Sequence, residues 1–182
     1  MIHRVRYNWE YDKESIVKKV YKNKSIKKEL IGNTSPNTDE LMFHCKEFDS
    51  IHKFVVKEYF KFKQFGKVDY ALNMWTYIQT KDTNDEVFHR HLRLDGGRSE
   101  IATDCTFVFY LQIPTNLNEG EGDLLFKWDN ETIHALRPYE GEVIFFPGNM
   151  WHTPKSTPTA NMDRIVIGGN ISCDFLTKKE LV

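Results

Sequence analysis

Asn118-Glu119-Gly120-Glu121-Gly122-Asp123-Leu124-Leu125-Phe126-Lys127-Trp128-Asp129-Asn130-Glu131-Thr132-Ile133-His134-Ala135-Leu136 reads as turn, strand, turn, strand. Gly120 and Gly122 break the chain, Leu124 to Phe126 form a short apolar run, and Asp129-Asn130 breaks it again before Ile133. Apolar runs this short, bounded by turn residues, suit strands. The same rhythm extends in both directions. Strands are expected at Tyr70–Gln79, Val87–Leu92, Thr106–Ile113, Asp123–Lys127, Thr132–Leu136, Glu142–Phe146 and Arg164–Ser172. Between them lie Asp82-Thr83-Asn84-Asp85, Asp95-Gly96-Gly97, Pro138 to Gly141 and Pro147-Gly148-Asn149. Many short strands with frequent turns indicate a β-sandwich or barrel of jelly-roll type.

Ahead of Asp69 the period changes. Ile16, Val17, Val20, Tyr21 and Ile26 recur at helical spacing and predict a short amphipathic helix from Ser15 to about Leu30. Gly32, Asn33, Ser35, Pro36 and Asn37 then mark a turn-rich break. Asp49-Ser50 offers a cap for a second helix carrying Ile51, Phe54, Val55, Tyr59 and Phe62, with Gly66 to end it. The expected class is α+β. One domain is expected over 1–182, with 1–68 as a mainly helical support packed on one sheet and 69–173 as the jelly-roll core.

The whole-chain charge of −1 gives no general pull toward nucleic acid or membrane, and no apolar run approaches a membrane span. Lys13, Lys18, Lys19, Lys22, Lys24, Lys27 and Lys28 fall in one segment, which reads as the solvated face of a helix rather than a nucleic-acid patch. Cys45, Cys105 and Cys173 are widely spaced and odd in number. They read as small buried apolar residues, and a reducing cytoplasm is the expected compartment. Frequent lysine and asparagine suit an AT-rich genome; were it viral, that cytoplasm would be a host's.

His89 and His91 stand two apart in Phe88-His89-Arg90-His91. Residues two apart on a strand project to one face, so both imidazoles converge as metal ligation requires. His152 follows Phe145-Phe146-Pro147-Gly148-Asn149-Met150-Trp151 and becomes a third donor if the fold returns that strand beside the first. Taken alone, a His-x-His pair is also compatible with surface or hydrogen-bonded core histidines. His44 and His134 have no partners in sequence and read as structural, and Trp151 as packing. Arg164 opens the apolar run Ile165-Val166-Ile167, where a guanidinium is expensive to bury without bidentate partners. A structural salt bridge or a dicarboxylate ligand would each supply them.

From about Asn73 to Ser172 the chain resembles the 2-oxoglutarate/iron(II) oxygenase superfamily, especially its prolyl-hydroxylase-like branch. Phe88-His89-Arg90-His91 is similar to the first-ligand motif, usually His-x-Asp. Thr106 to Leu111 resembles the strand ending in Tyr-Leu that lines the co-substrate pocket. Gly120 to Phe126 resembles the Gly-Gly-x-Leu-x-Phe hairpin, and Arg137 to Phe146 the Pro-x-x-Gly-x-(apolar)-x-Phe segment. Trp151-His152 is similar to the distal-ligand site, and Arg164 to Ile167 to the strand whose arginine holds the co-substrate.

The resemblance implies a double-stranded β-helix holding Fe(II) on His89, His91 and His152. It also implies 2-oxoglutarate on Arg164 with Tyr110 and Tyr77, dioxygen as oxidant, and succinate and carbon dioxide as products. Histidine at position 91 departs from the family's carboxylate, so Asp95 stands as the substitute ligand. Asn170 is a further residue expected toward the pocket, and the Asp95–Thr103 loop is expected at its entrance. Two rivals remain: a cupin-like three-histidine metalloenzyme, which needs no arginine for a dicarboxylate, and a non-catalytic jelly-roll binding module. The substrate is open among a protein side chain, a nucleotide and a small polar molecule, with a polar one favoured over a lipid.

Overall fold

Strands dominate the computed structural model, which describes residues 1–22, 33–34, 45–64, 69–83, 86–95, 99–102, 104–128 and 133–174. In chain order these form β1 (His3–Arg6), α1 (Lys13–Lys22), β2 (Asn33–Thr34), α2 (Lys46–Lys63), β3 (Asp69–Gln79), β4 (Leu92–Asp95) and β5 (Ser99–Ala102). There follow β6 (Cys105–Gln112), β7 (Leu124–Lys127), β8 (Ile133–Leu136), β9 (Glu142–Phe146), β10 (Trp151–Pro154) and β11 (Arg164–Asp174). Six strands form one sheet in the order β1-β9-β6-β11-β3-β2, three form a second, β10-β7-β8, and β4 and β5 make a separate hairpin. From β6 onward the chain passes to the second sheet at β7, returns at β9, crosses again at β10 and returns at β11. This winding between two antiparallel sheets is the double-stranded β-helix.

Strand parity divides the interior into two. Phe107, Phe109, Val143, Phe145, Ile165, Ile167 and Ile171 share one core with Ile16 and Val20 of α1 and Phe48, Ile51, Val55 and Tyr59 of α2. The intervening Tyr110, Ile144, Phe146 and Val166 share another with Leu124 and Phe126 of the second sheet. Successive side chains leave a strand on opposite faces, so one sheet packs helices behind it and the second sheet in front. Both faces being buried explains why β9 reads Val-Ile-Phe-Phe without alternation. Full burial of one such side chain is worth about 1.5–3 kcal/mol.

The helices rest on local chemistry. The Asp12 carboxylate accepts the Ser15 amide at 3.0 Å at the start of α1, and Ile16 and Val20, one turn apart, are its buried contacts. α2 begins at Lys46, ahead of the expected Asp49-Ser50 cap. Cys45 is its N-cap without a side-chain hydrogen bond, Asp49 instead pairs with Lys53, and the Ser50 hydroxyl bonds Glu10 at 2.5 Å. Its C-terminal cap is Gln64 in the left-handed region, φ 54°, and the expected stop at Gly66 lies outside the described residues. The expected continuation of α1 over 23–30 does so too, as do Lys24, Lys27 and Lys28. Of the remaining cluster, Lys13 pairs with Glu140 and Lys19 with Glu47, in keeping with a solvated helix face. The three cysteines are buried, and none is in a disulfide among the described residues. Among the described residues, no helix is long and apolar enough to cross a membrane.

The strand reading is corrected in five places, the first at Asn33–Thr34, read as part of a turn-rich break, which pairs with Ile78 and Tyr77 of β3. β1, too short and too charged to be read as a strand, pairs with β9 along His3↔Phe145 to Arg6↔Glu142, and Arg4 holds Glu142 at 2.6 Å. β10, polar and containing Pro154, is a strand by virtue of its pairing with β7. Within the expected strand Val87–Leu92, only an isolated bridge forms at His89, and β4 starts at Leu92. The Asp95–Thr103 segment is not a plain loop, since Ser99–Ala102 pairs with Leu92–Asp95.

Consecutive glycines in the middle of β11 mark close approaches on both faces. A Cβ at Gly169 would stand 2.5 Å from the Phe107 ring and 2.6 Å from the Asn73 carbonyl oxygen. Gly169→Ala is expected to lower stability by about 1–3 kcal/mol through overpacking. Urea unfolding reads this as a lower midpoint at unchanged slope; an unshifted midpoint would show that the strand absorbs the methyl group.

Candidate metal centre

His89 and His152 form an antiparallel bridge in which each amide donates to the other's carbonyl, at 3.0 and 2.9 Å. β10 pairs His152 with Phe126 of β7, so this bridge extends the second sheet by one residue pair. The His91 amide donates to the Gly148 carbonyl at 2.8 Å, which keeps the chain extended and returns His91 to the side of His89. The three imidazoles therefore converge. Ring centroids lie 4.4 Å apart for His89–His152, 5.1 Å for His91–His152 and 5.3 Å for His89–His91. One nitrogen from each falls within 4.8 Å of the others, a spacing that can hold a metal ion. His89 is exposed, His91 half-buried and His152 buried.

Two of the rings have their tautomer arranged. Nδ1 of His89 lies 3.0 Å from the Val87 carbonyl oxygen, and Nδ1 of His152 lies 2.9 Å from that of Met150. A proton on each Nδ1 makes the bond and leaves Nε2 as a lone-pair donor, the usual outer support of a metal-binding imidazole. Burial, with neighbouring His89 adding to it, pushes His152 down to about 3 and His91 down to about 4. Both are neutral donors at neutral pH.

The imidazoles line a cavity of about 320 Å³, together with Arg164, Tyr110 and Tyr77. Val166 of β11 is the cross-strand partner of both Tyr77 and Tyr110, and Arg164 lies two residues away on the same face. A bulge in β6 at this point makes Gln112 oppose Ile165 while Tyr110 opposes Val166. Arg164 is 2% exposed; its Nη1 donates to the Gly122 carbonyl at 2.8 Å and its guanidinium lies 5.9 Å from the Tyr110 ring centre. Burial raises the Tyr110 phenol to about 12, with Arg164 opposing, so it is a hydrogen-bond donor. Thr157, which no sequence pattern singled out, is fully buried beside the same Gly122. Its hydroxyl has no hydrogen-bond partner among the described residues.

Other expected residues fall elsewhere. The Asp95 side chain and His44 lie outside the described residues. Asn170 accepts the Thr106 hydroxyl at 3.0 Å, and Thr106, not Asn170, lines the cavity. His134 is exposed on β8. Trp151, read as packing, packs at the surface: it is 42% exposed, with the Arg90 guanidinium 5.1 Å from its ring centre. Trp75, absent from the expected site, stacks on His91 at 5.4 Å and 13°. Its sequence signal was Gly168, its cross-strand partner, since glycine inside an apolar strand marks a close approach.

The two neutral imidazoles contribute to the acid sensitivity of the metal-free protein. Between their depressed values and the ordinary histidine value near 6.5, the unfolded chain binds more protons than the folded one. Stability is therefore fully present above about pH 6.5 and falls as pH drops toward 4, each group contributing up to about 1.4 kcal/mol per pH unit. A melting-temperature profile from neutral to acid pH reads this, and His152→Asn is expected to flatten it. An identical acid limb in both proteins would remove His152 from the effect.

No protein-family model matches the sequence, and no curated protein sequence does so either. Solved structures do match in fold. The viral collagen prolyl hydroxylase of Paramecium bursaria Chlorella virus-1, as its 2-oxoglutarate complex, is 15% identical with a TM-score of 0.60, over 93% of this chain and 94% of that one. HygX from Streptomyces hygroscopicus, with nickel and 2-oxoglutarate bound, is 10% identical with a TM-score of 0.60, over 97% and 84%. A Trichoplax adhaerens prolyl hydroxylase, in complex with a peptide fragment of hypoxia inducible factor, is 13% identical with a TM-score of 0.56, over 94% and 83%. The chain thus has the double-stranded β-helix fold that prolyl hydroxylases and 2-oxoglutarate oxygenases share.

Proposed function

We propose that this protein is an iron(II)- and 2-oxoglutarate-dependent oxygenase that hydroxylates a C–H bond of its substrate, with release of succinate and carbon dioxide. One observation carries the reading: three convergent imidazoles share a single cavity with a buried arginine and a protonated tyrosine. Two solved proteins of this fold hold 2-oxoglutarate, one with nickel also bound, which supports the same use of the cavity.

The donor set fits the metal. Neutral imidazoles suit a first-row divalent ion, and three of them leave positions open for other ligands. Bound there, iron(II) supplies the activation of dioxygen and the oxidising power of the reaction. The chain's own residues do the rest. His89, His91 and His152 hold the ion, and His91 and His152 have no proton to displace at neutral pH. Arg164 receives the distal carboxylate of 2-oxoglutarate through two charge-assisted hydrogen bonds, and Tyr110 and Tyr77 border it as further donors. Val108, Leu124 and Val166 in the cavity wall exclude water. Val87, 60% exposed beside His89, leaves the metal end open to a substrate larger than the cavity. That substrate is a protein side chain, a nucleotide or a small polar molecule.

The three-imidazole set is the observation that favours a cupin-like metalloenzyme instead. The buried Arg164 in the same cavity weighs against it. The two readings separate on Arg164→Met. For an oxygenase this variant weakens 2-oxoglutarate by at least about tenfold, since one charge-assisted hydrogen bond is worth about 1.5–3 kcal/mol. Metal affinity stays near the wild-type value, because the guanidinium is not a ligand. Turnover of 2-oxoglutarate to succinate without substrate gives a second readout. Iron-loaded wild-type protein that neither binds nor consumes 2-oxoglutarate would end the oxygenase reading.

The ligand set has its own test. His89→Ala and His152→Ala are each expected to abolish stoichiometric manganese(II) binding, measured by calorimetry, with the fold intact. His91→Asp retains binding by restoring a carboxylate, and Asp95→Asn is nearly silent. Loss of metal in Asp95→Asn with retention in His91→Ala would transfer the third ligand to Asp95.

A further inference from the structure

His89 and His152 are oriented by hydrogen bonds from Nδ1 to a main-chain carbonyl two residues earlier, at Val87 and Met150. His91 is oriented differently. Among the described residues no hydrogen bond reaches its ring, which instead lies nearly parallel to two others: Trp75 at 13° with centroids 5.4 Å apart, and His152 at 15° with centroids 5.1 Å apart. Trp75 has little freedom to move away. Gly168 is its partner across β3 and β11, and a Cβ built on Gly168 would stand 2.8 Å from the indole Nε1, 2.9 Å from Cε2 and 3.0 Å from Cζ2. The indole occupies the space that a side chain at 168 would fill. Any other residue there has to displace it.

We propose that Trp75 is the positioning residue of the third metal ligand: seated on Gly168, its indole fixes the plane of His91 where no hydrogen bond does so, and thereby sets the affinity and symmetry of the site for a divalent cation. The proposal rests on the metal-centre reading above. It assigns the support of one ligand to a flat aromatic contact, whose requirement is shape rather than a donor or acceptor. Phenylalanine at 75 preserves that contact in part. Leucine does not, although it fills the strand position with comparable apolar bulk.

The test is manganese(II) affinity by calorimetry, together with the ligand-field absorption of the cobalt(II) form, on folded protein verified by circular dichroism. Wild-type protein binds one manganese(II); if it binds none, the metal-centre reading itself fails. Given wild-type binding, Trp75→Leu is expected to weaken manganese(II) by at least about tenfold, the scale of losing an outer support of a ligand. It also changes the cobalt(II) spectrum, because a ligand with a freed plane alters the symmetry of the field. Trp75→Phe stays within about threefold of wild type, as expected when the supporting contact survives. Gly168→Ala weakens binding in the wild-type background but adds little in the Trp75→Leu background, where no indole remains to be displaced.

Wild-type affinity and an unchanged cobalt(II) spectrum in Trp75→Leu would overturn the proposal. So would an equal cost of Gly168→Ala in both backgrounds, which would place its effect in the strand rather than in the indole. Should Trp75→Leu not fold, Gly168→Ala decides alongside Trp75→Phe: unchanged metal affinity and cobalt(II) spectrum in Gly168→Ala overturn the proposal.

Discussion

Two main-chain hydrogen bonds join His89 to His152, residues that are remote in sequence, and the geometry of the site follows from that short antiparallel bridge. Opposed residues of an antiparallel pair project to the same side of the sheet, so the bridge sends both imidazoles into the cavity together. The bridge in turn depends on β10, which is held by β7 through Trp151↔Lys127 to Pro154↔Leu124. The second sheet is kept against the first by Phe126 edge-on to Phe146, 5.1 Å apart, and Phe146 also packs edge-on against His152 at 4.6 Å. Hydrophobic packing between sheets therefore becomes angular precision at the metal centre. The helices behind the first sheet contribute by keeping that sheet in place.

Electrostatically the cavity has two unlike parts. At the imidazole end burial keeps His91 and His152 neutral, so neither has to lose a proton to accept a dication. The other part holds a guanidinium that is almost fully removed from water. Desolvating such a charge is costly, and a carbonyl bond from Gly122 and the face of Tyr110 offset part of that cost. A dicarboxylate that met the metal at one end and Arg164 at the other would neutralise both charges at once.

The core strands were legible because burial on both faces gives continuous apolar runs. Glu142–Phe146 was read with its true bounds, and Arg164–Ser172 fell short of the observed end only at Cys173 and Asp174. His89, His91 and His152 were legible because two-residue spacing and a returning strand bring donors together, and the geometry does assemble them. Elements defined by their partners were not legible. His3–Arg6 is a strand because the edge of β9 offers unpaired main-chain groups, and Trp151–Pro154 because β7 does. The start of α2 was misread because Asp49 and Ser50, good capping residues, are engaged by Lys53 and Glu10 inside the helix. Trp75 was missed because stacking between strands leaves no spacing rule in the sequence. Only the glycine opposite it left a trace.

That trace leads to the thinnest part of the fold. Gly168 and Gly169 are neighbours on β11 and so face opposite sides of the sheet. The missing side chain at 168 makes room for Trp75 and, through it, for the plane of His91, whereas the one at 169 makes room for Phe107 in the core beneath the helices. At this one point the cavity and the helical core are separated by backbone alone. The strand that supplies Arg164 to one part of the cavity therefore also sets, four residues later, the seat of the indole that stacks on His91.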